Sequence, residues 1–387
     1  MLSSNRVPIR TLGELFDGPH ATPTRRSEGP YFLNIASLKS GRLDLSESDH
    51  VSPEDFMKWT RRVTPQHGDL LFSYETRLGE AALMPECVEA CLGRRMALLR
   101  PNRSVVHPRF LLYFYLSPYF QEIIARHTIH GATVPRIGLA SMPSWEVEVP
   151  SDLREQQAIA DVLGALDDKI AANHEVVRIA GQVASAFTLA ASGRDNERLS
   201  AIAIVTMGAS PPGSSYNVEG NGVPFYQGVR DFGERFPANR VWTTAPVRMA
   251  EEANTLISVR APVGRTNLAC ETLCIGRGLA SLRSRDARPY TLFHQIRATR
   301  DAWGPYEAEG TIFGSIDRKQ LDGIRVPAIR KDCQEQLEAQ LSGIERRIAA
   351  ALRENRILAA TRDELLPLLM SGRIRVRDAE KVVEEVV

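Results

Sequence analysis

The sequence predicts an α+β chain built as an internal repeat. Two similar globular domains are separated by a long antiparallel two-helix coiled coil, with a pseudo-twofold relation between the halves. Two observations carry this reading. Long heptad-patterned stretches occupy Ser151–Ser192 and Asp332–Met370. Short blocks of residues also recur in the same order in each half.

The first globular domain is expected over residues 1–150. Short apolar runs such as Asp69–Tyr74 sit between Gly and Pro turns and read as strands. His107–Arg126 carries many aromatics and reads as a buried helix, with Pro118 starting a second segment.

The central helix is expected over residues 151–192. Apolar or small residues recur at Ile159, Leu163, Leu166, Ile170, Val177, Ala180, Ala184 and Phe187, in steps of four and three. That stepping is the stripe of a helix packed along a partner helix. Ser151 and Asp152, after Pro150, are suited to cap it. About 40 residues at 1.5 Å each make a rod of roughly 60 Å.

The polar stretch Ser192–Arg198 reads as a linker, and Ser210–Gly222 as a flexible loop that opens the second domain, residues 193–328. Thr255–Val259 reads as a strand there. The distal helix, residues 329–372, repeats the stripe at Leu337, Leu341, Ile344, Ile348, Ala351, Leu358, Leu365 and Leu369. Each stripe holds one asparagine, Asn173 and Asn355, a residue type that either fixes register in an apolar seam or sits on the surface. Residues 373–387 form a charged tail, read as loosely attached.

The repeat is legible block by block. LFSYETRLGEAAL from Leu71 answers LISVRAPVGRTNL from Leu256, so Ser73 matches Ser258 and Gly79 matches Gly264. Cys91-Leu92-Gly93-Arg94 answers Cys274-Ile275-Gly276-Arg277. Gly131 to Val134 with Ile137 answers Gly310 to Phe313 with Ile316. Glu148-Val149-Pro150 answers Arg325-Val326-Pro327, and Glu155-Gln156 answers Glu335-Gln336.

Composition limits the function. The 387 residues suffice for two or more domains, and no apolar run approaches the roughly 18 residues of a membrane span. The opening MLSSNRVPIR has no apolar signal core, so a cytoplasmic protein without membrane contact is expected. Net charge is +1, yet the basic residues are 42 Arg against 6 Lys. Arginine suits bidentate contact with phosphate and guanine, although a G+C-rich genome produces the same bias.

No arrangement of side chains announces catalysis. The cysteine pairs Cys87/Cys91 and Cys270/Cys274 are spaced too widely, with too few ligands nearby, for a zinc site. No metal is therefore expected. Ser210-Pro211-Pro212-Gly213 is similar to the catalytic loop of DNA amino-methyltransferases but has Gly213 where the base-stacking aromatic belongs. No phosphate-binding loop is present, and Asp167-Asp168-Lys169 lies within the heptad helix. A binding or assembly protein is expected, and no residue is assigned a catalytic role.

Taken together, several blocks resemble the specificity subunit of type I restriction–modification systems. They are Gly-Val-Pro-Phe at Gly222, Leu-Ile-Ser-Val-Arg-Ala-Pro-Val-Gly at Leu256, Cys-Ile-Gly-Arg-Gly-Leu-Ala at Cys274, the run from Glu155 to Ile170, and Leu-Leu-Pro-Leu-Leu-Met-Ser-Gly at Leu365. The resemblance spans almost the whole chain; the distal helix, opening Lys331-Asp332-Cys333-Gln334, departs most from it. It implies two target-recognition domains, each reading one half of a split sequence in double-stranded DNA. It also implies a subunit without its own active site or cofactor. Two methyltransferase subunits would dock on the helices and carry S-adenosylmethionine, and motor-nuclease subunits with ATP and magnesium can join. A fused or solitary DNA adenine methyltransferase and a coiled-coil adaptor without DNA binding are the alternatives.

The DNA-reading candidates in the first domain are Tyr74, Arg77, Arg94, Arg95, Thr133 and Arg136. Those in the second are Tyr226, Gln227, Arg230, Arg260, Arg265, Thr311, Arg318 and Lys319. Arg94 and Arg277 share a repeat position, which suggests a common fold role such as a buried ion pair. Residues that differ between the copies, Glu75 against Arg260 and Arg136 against Ser315, are better placed to choose bases. Docking of partner subunits is expected along Glu155, Gln156, Ile159, Leu163, Leu166, Ile170, Glu335, Gln336, Leu341 and Ile348.

Overall fold

The computed structural model describes residues 4–131, 134–299, 302–306 and 314–387. The chain forms two compact units, Met1–Ala172 with Glu354–Val387, and Asn173–Arg353. Each contains one globular part and one half of each long helix, the central helix Leu153–Ala191 and the distal helix Gln334–Met370.

In the first unit the principal elements are β1 (Ser4–Pro8), β2 (Gly13–Asp17), β3 (Arg26–Leu33), β4 (Leu70–Ser73), β5 (Ala81–Leu83), β6 (Ala90–Leu92), β7 (Met96–Pro101), α1 (Pro108–Leu116), α2 (Pro118–His127) and β8 (Glu146–Pro150). A four-stranded antiparallel sheet has the order β2-β7-β4-β5. Both faces of this sheet are covered. Ala97, Leu99, Leu70 and Phe72 enter one core with α1 and α2, while Met96, Leu98 and Leu71 enter another with Leu33 and Leu92. That is why the strands read as unbroken apolar runs and not as alternating ones. α1 stops where Pro118 cannot continue it, and the Ser117 hydroxyl caps α2 by accepting from Phe120 N.

The central helix begins with Asp152 accepting from the Arg154 amide at 2.8 Å. Gln156 follows, wholly buried. Its Oε1 accepts from His107 N at 2.8 Å, and its Nε2 donates to Pro150 O at 2.8 Å and to Val105 O at 3.1 Å. Further along, Ile159, Leu163, Leu166 and Ile170 pack in one core with Leu358, Leu365 and Leu369 of the distal helix. The two helices run antiparallel within this unit: Asp167 meets Arg362 at 2.7 Å and Lys169 meets Glu354 at 3.4 Å. Asn355 is buried and donates to Ile170 O, and Asn173 is buried as well. The seam readings of both asparagines hold. The charged tail is not loose: Val376–Glu384 is a helix whose Ala379 and Val383 enter the core.

The second unit repeats the plan with β9 (Ser192–Arg198), β10 (Ala203–Met207), β11 (Val223–Tyr226), β12 (Thr255–Ser258), β13 (Thr266–Leu268), β14 (Leu273–Ile275), β15 (Leu279–Ser284), α3 (Pro289–Arg297) and β16 (Arg325–Ile329). Its main sheet has the order β10-β15-β12-β13, matching the first. A parallel pair also recurs, β3 with β6 and β11 with β14. Gly79 and Gly264 match in conformation as well as sequence, with φ of +87° and +82°, where a side chain would be strained. Val177 packs with Ile348 and Ala351, and Ala184 with Leu337 and Leu341, so the helix halves again run antiparallel.

Three expectations change here. Ser192–Arg198 is not a linker but strand β9, paired antiparallel with β16 as β1 pairs with β8. Its polarity reflects an edge ribbon whose side chains mostly face water. Phe187 is exposed and lies off the seam, its turn being occupied by the buried Thr188 and Ala191.

The repeat alignment also slips by two residues after Ile137. Ile9 N bonds Trp145 O and Leu199 N bonds Ile324 O, so Glu146 answers Arg325. The counterpart of Gln156 is Gln334, which takes Arg288 Nη1 at 2.6 Å and donates to Ile329 O. Glu335 and Gln336 are exposed.

Candidate nucleic-acid interface

On the second unit, a groove of about 720 Å³ forms where β11 and the turns after β12 and β14 converge. Gln227, Arg230, Arg240, Arg260 and Arg277 line it, with Ser210 and Pro211 from the loop that opens the domain. All four arginines are exposed, and among the described residues none of them forms an ion pair. Tyr216 and Phe225 pack as tilted rings, centroids 4.9 Å apart, in its wall. Asp231 accepts from Gln227 N at 2.8 Å and sets the backbone of that corner. Unpaired guanidinium groups on a concave surface attract phosphate and present forks that match guanine.

Three of the residues expected to read DNA, Gln227, Arg230 and Arg260, are thus brought together. Arg265 is exposed on a neighbouring cavity with Arg297, and Arg318 and Lys319 lie apart on the short helix Arg318–Gly323, where Arg318 faces Asp322 at 3.7 Å. Tyr226 does not reach the surface: it is fully buried and its hydroxyl donates to Asn239. Thr311 lies outside the described residues. Arg240 was missed, because only the fold carries position 240 beside position 277.

On the first unit, Glu75, Arg95 and Arg136 cluster at one edge. Glu75 and Arg136 form an antiparallel bridge, and Arg95 Nε lies 2.8 Å from Glu75 Oε2. Arg94 and Arg136 are exposed. Arg77 is taken up by the fold, donating to Ile35 O at 2.9 Å and to Glu80 at 3.0 Å. Tyr74 is a core residue, only 8 % exposed, and burial with Asp17 and Glu75 nearby raises its pKa. Thr133 lies outside the described residues. The buried ion pair expected at Arg94 and Arg277 is absent: both side chains are exposed, because the turn they follow faces water.

The helical docking positions divide in the same way. Gln156, Ile159, Leu163, Leu166, Ile170, Leu341 and Ile348 are buried within their own unit and present nothing to a partner, whereas Glu155, Glu335 and Gln336 reach the surface. Within the second unit, one face of the central helix exposes Ile179, Val183 and Phe187, and Leu189 is exposed elsewhere on it. Burial pushes the Cys91 thiol up to about 12, and among the described residues no group of three His, Cys, Asp or Glu side chains is placed to hold a metal. No helix among the described residues is long and apolar enough to cross a membrane.

A doubled scaffold that offers exposed arginine forks in a groove is the build of a nucleic-acid-reading protein. Comparison with known proteins shows what it is similar to. The model of the type I restriction modification DNA specificity domain matches residues 38–177, which lie in the first copy and its helix. The chain is 28% identical over 95% of its length to the protein assigned as the type I restriction enzyme MjaX specificity subunit of Methanocaldococcus jannaschii, covering 94% of that protein. It is 29% identical over 42% of its length to the type I restriction enzyme HindI specificity subunit of Haemophilus influenzae, covering 36% of it. In fold it is similar to the type I restriction–modification S subunit from M. genitalium, with a TM-score of 0.62 at 16% identity over 95% of this chain and 96% of that one. The chain is similar to specificity subunits of type I restriction–modification systems over nearly its whole length.

Proposed function

We propose that each globular domain reads one half of a bipartite DNA target while the paired helices set the gap and dock two methyltransferase subunits. The domains in this reading are residues 1–150 and 193–328, the helices 151–192 and 329–372, with the tail 373–387 closing the first unit. One observation carries it: the same fold occurs twice in one chain with different side chains at equivalent surface positions, Glu75 against Arg260 and Arg136 against Ser315. Two readers that share a scaffold and differ at the surface suit two different half-sites.

The chain supplies recognition, and chemistry resides on the partners. S-adenosylmethionine sits on the methyltransferase subunits, and ATP and magnesium on any motor-nuclease subunits that join in the cytoplasm. The exposed stripe Ile179, Val183 and Phe187 supports docking on the central helix, since an unpartnered apolar helix face in an assembly calls for a cover.

The test is methylation by the purified chain alone and after its methyltransferase partner is added. The expected result is none alone and adenine methylation at a split sequence with the partner. Methyl transfer by the isolated chain overturns the reading. Deleting about seven residues from both long helices, two turns, should shorten the tolerated gap and leave both half-sites unchanged.

A further inference from the structure

We infer that Glu75 and Arg260, which occupy the same backbone position in the two copies, select opposite base edges, a cytosine in one half-site and a guanine in the other. The inference rests on the DNA-reading function proposed above and names the residues that make the choice.

The equivalence of the two positions is geometric. Each follows a buried strand, β4 or β12, by two residues from the matched serines Ser73 and Ser258. Each forms an isolated antiparallel bridge, Glu75 to Arg136 and Arg260 to Ser315. The bridges are held by matching bonds, Ile137 N to Tyr74 O at 2.8 Å and Ile316 N to Val259 O at 3.0 Å. The bridge is therefore the same at both positions, and the side chain's sign is reversed.

In the second copy, Arg260 stands in the groove beside Gln227, Arg230 and Arg277, exposed and without an ion-pair partner among the described residues. Ser315 opposite it is short and leaves the guanidinium unobstructed. Gly278 closes the same corner: a Cβ there would lie 2.3 Å from Gln227 O, so a larger residue would push Gln227 out of place. A free guanidinium fork held at the rim of a groove matches O6 and N7 of guanine.

In the first copy, the carboxylate of Glu75 is ion-paired with Arg95, Nε lying 2.8 Å from Oε2, and Arg95 Nη1 donates to Thr76 Oγ1 at 3.2 Å. The ion pair keeps an acceptor carboxylate at this edge. A carboxylate acceptor fits the exocyclic amine of cytosine and repels the O6 of guanine. Arg94 and Arg136 flank it, exposed, and neutralise the phosphates that a lone carboxylate would repel.

The experiment co-expresses the full chain with its methyltransferase partner in a host lacking this modification and maps methylated adenines genome-wide. Arg260→Ala is expected to relax a single guanine in one half-site, with discrimination there falling about tenfold or more. Glu75→Gln is expected to relax a single cytosine in the other half-site. Arg260→Lys preserves the charge, so it should methylate at a similar level and still lose guanine preference. Relaxation of another base, relaxation in the same half-site by both variants, or an unaltered motif in Arg260→Lys would overturn the inference. If the parent chain gives no split motif, the failure lies with the proposed function and not with these two residues.

Discussion

The phenol of Tyr113 donates to Asp167 Oδ2 at 2.7 Å, and at the matching turn of the second copy His294 Nε2 lies 2.8 Å from Glu345 Oε1. Each pair bolts the aromatic helix of a globular part to a long helix. Each carboxylate has a second, cationic neighbour: Arg362 at 2.7 Å from Asp167, and Arg235 at 3.3 Å from Glu345. Removing the phenol by Tyr113→Phe leaves Asp167 with Arg362 but one donor short. Stability should fall by about 1–2 kcal/mol, read from urea unfolding.

The second bolt makes the protein sensitive to acid. Burial holds the His294 imidazole below its ordinary pKa against the opposing pull of Glu345, with Arg235 and Arg297 adding to the depression. The unfolded chain takes up a proton near pH 6.5 that the folded chain refuses. The stabilisation is complete above that pH and is lost as the pH falls further. Melting temperatures measured between pH 8 and 5.5 should drop on acidification, and His294→Gln should flatten the acid side of the curve.

Gln156 and Gln336 should separate structure from docking. Gln156→Leu leaves His107 N, Val105 O and Pro150 O without their side-chain partner in a buried corner. A loss of about 2–4 kcal/mol is expected by chemical denaturation. Gln336→Ala removes an exposed side chain and should change stability by less than about 0.5 kcal/mol.

Salt will report the groove. Arg230→Ala and Arg240→Ala each remove an exposed guanidinium from it. If these side chains contact phosphates, each variant bound with its partner subunit should show a slope of log affinity against log salt that is shallower by about one. Weakening should be uniform across DNA sequences.

The apolar face of the central helix gives a fifth expectation. Val183→Asp and Phe187→Asp place charge on side chains that the chain itself leaves exposed, so the fold should survive. Association with the methyltransferase subunit should weaken at least tenfold in a pull-down titration, with the melting temperature shifting by no more than a few degrees.

The heptad stripe was legible because packing dictates it directly: Ile159, Leu163, Leu166 and Ile170 recur at helical spacing and are all buried. The repeat was legible because Gly79 and Gly264 must both adopt positive φ. What eluded sequence reading depends on long-range pairing. Nothing local in SGRDNER says that β16 will bind its backbone, so a polar edge strand resembles a linker. The two-residue slip at Gln156 arose because Glu335-Gln336 imitates Glu155-Gln156, while hydrogen bonding selects Gln334. Among the recognition candidates, Tyr74 and Tyr226 looked suited to bases but fill cores, and Arg240 joined the groove only through tertiary folding.

The ribbons β1–β8 and β9–β16 bring the entrance and exit of each globular part side by side. Such a part behaves as a cassette: its interior can be exchanged for another of the same outline while the flanking rod keeps its register. New sequence preferences could then arise by grafting whole readers, with no rebuilding of the apolar seam that carries them.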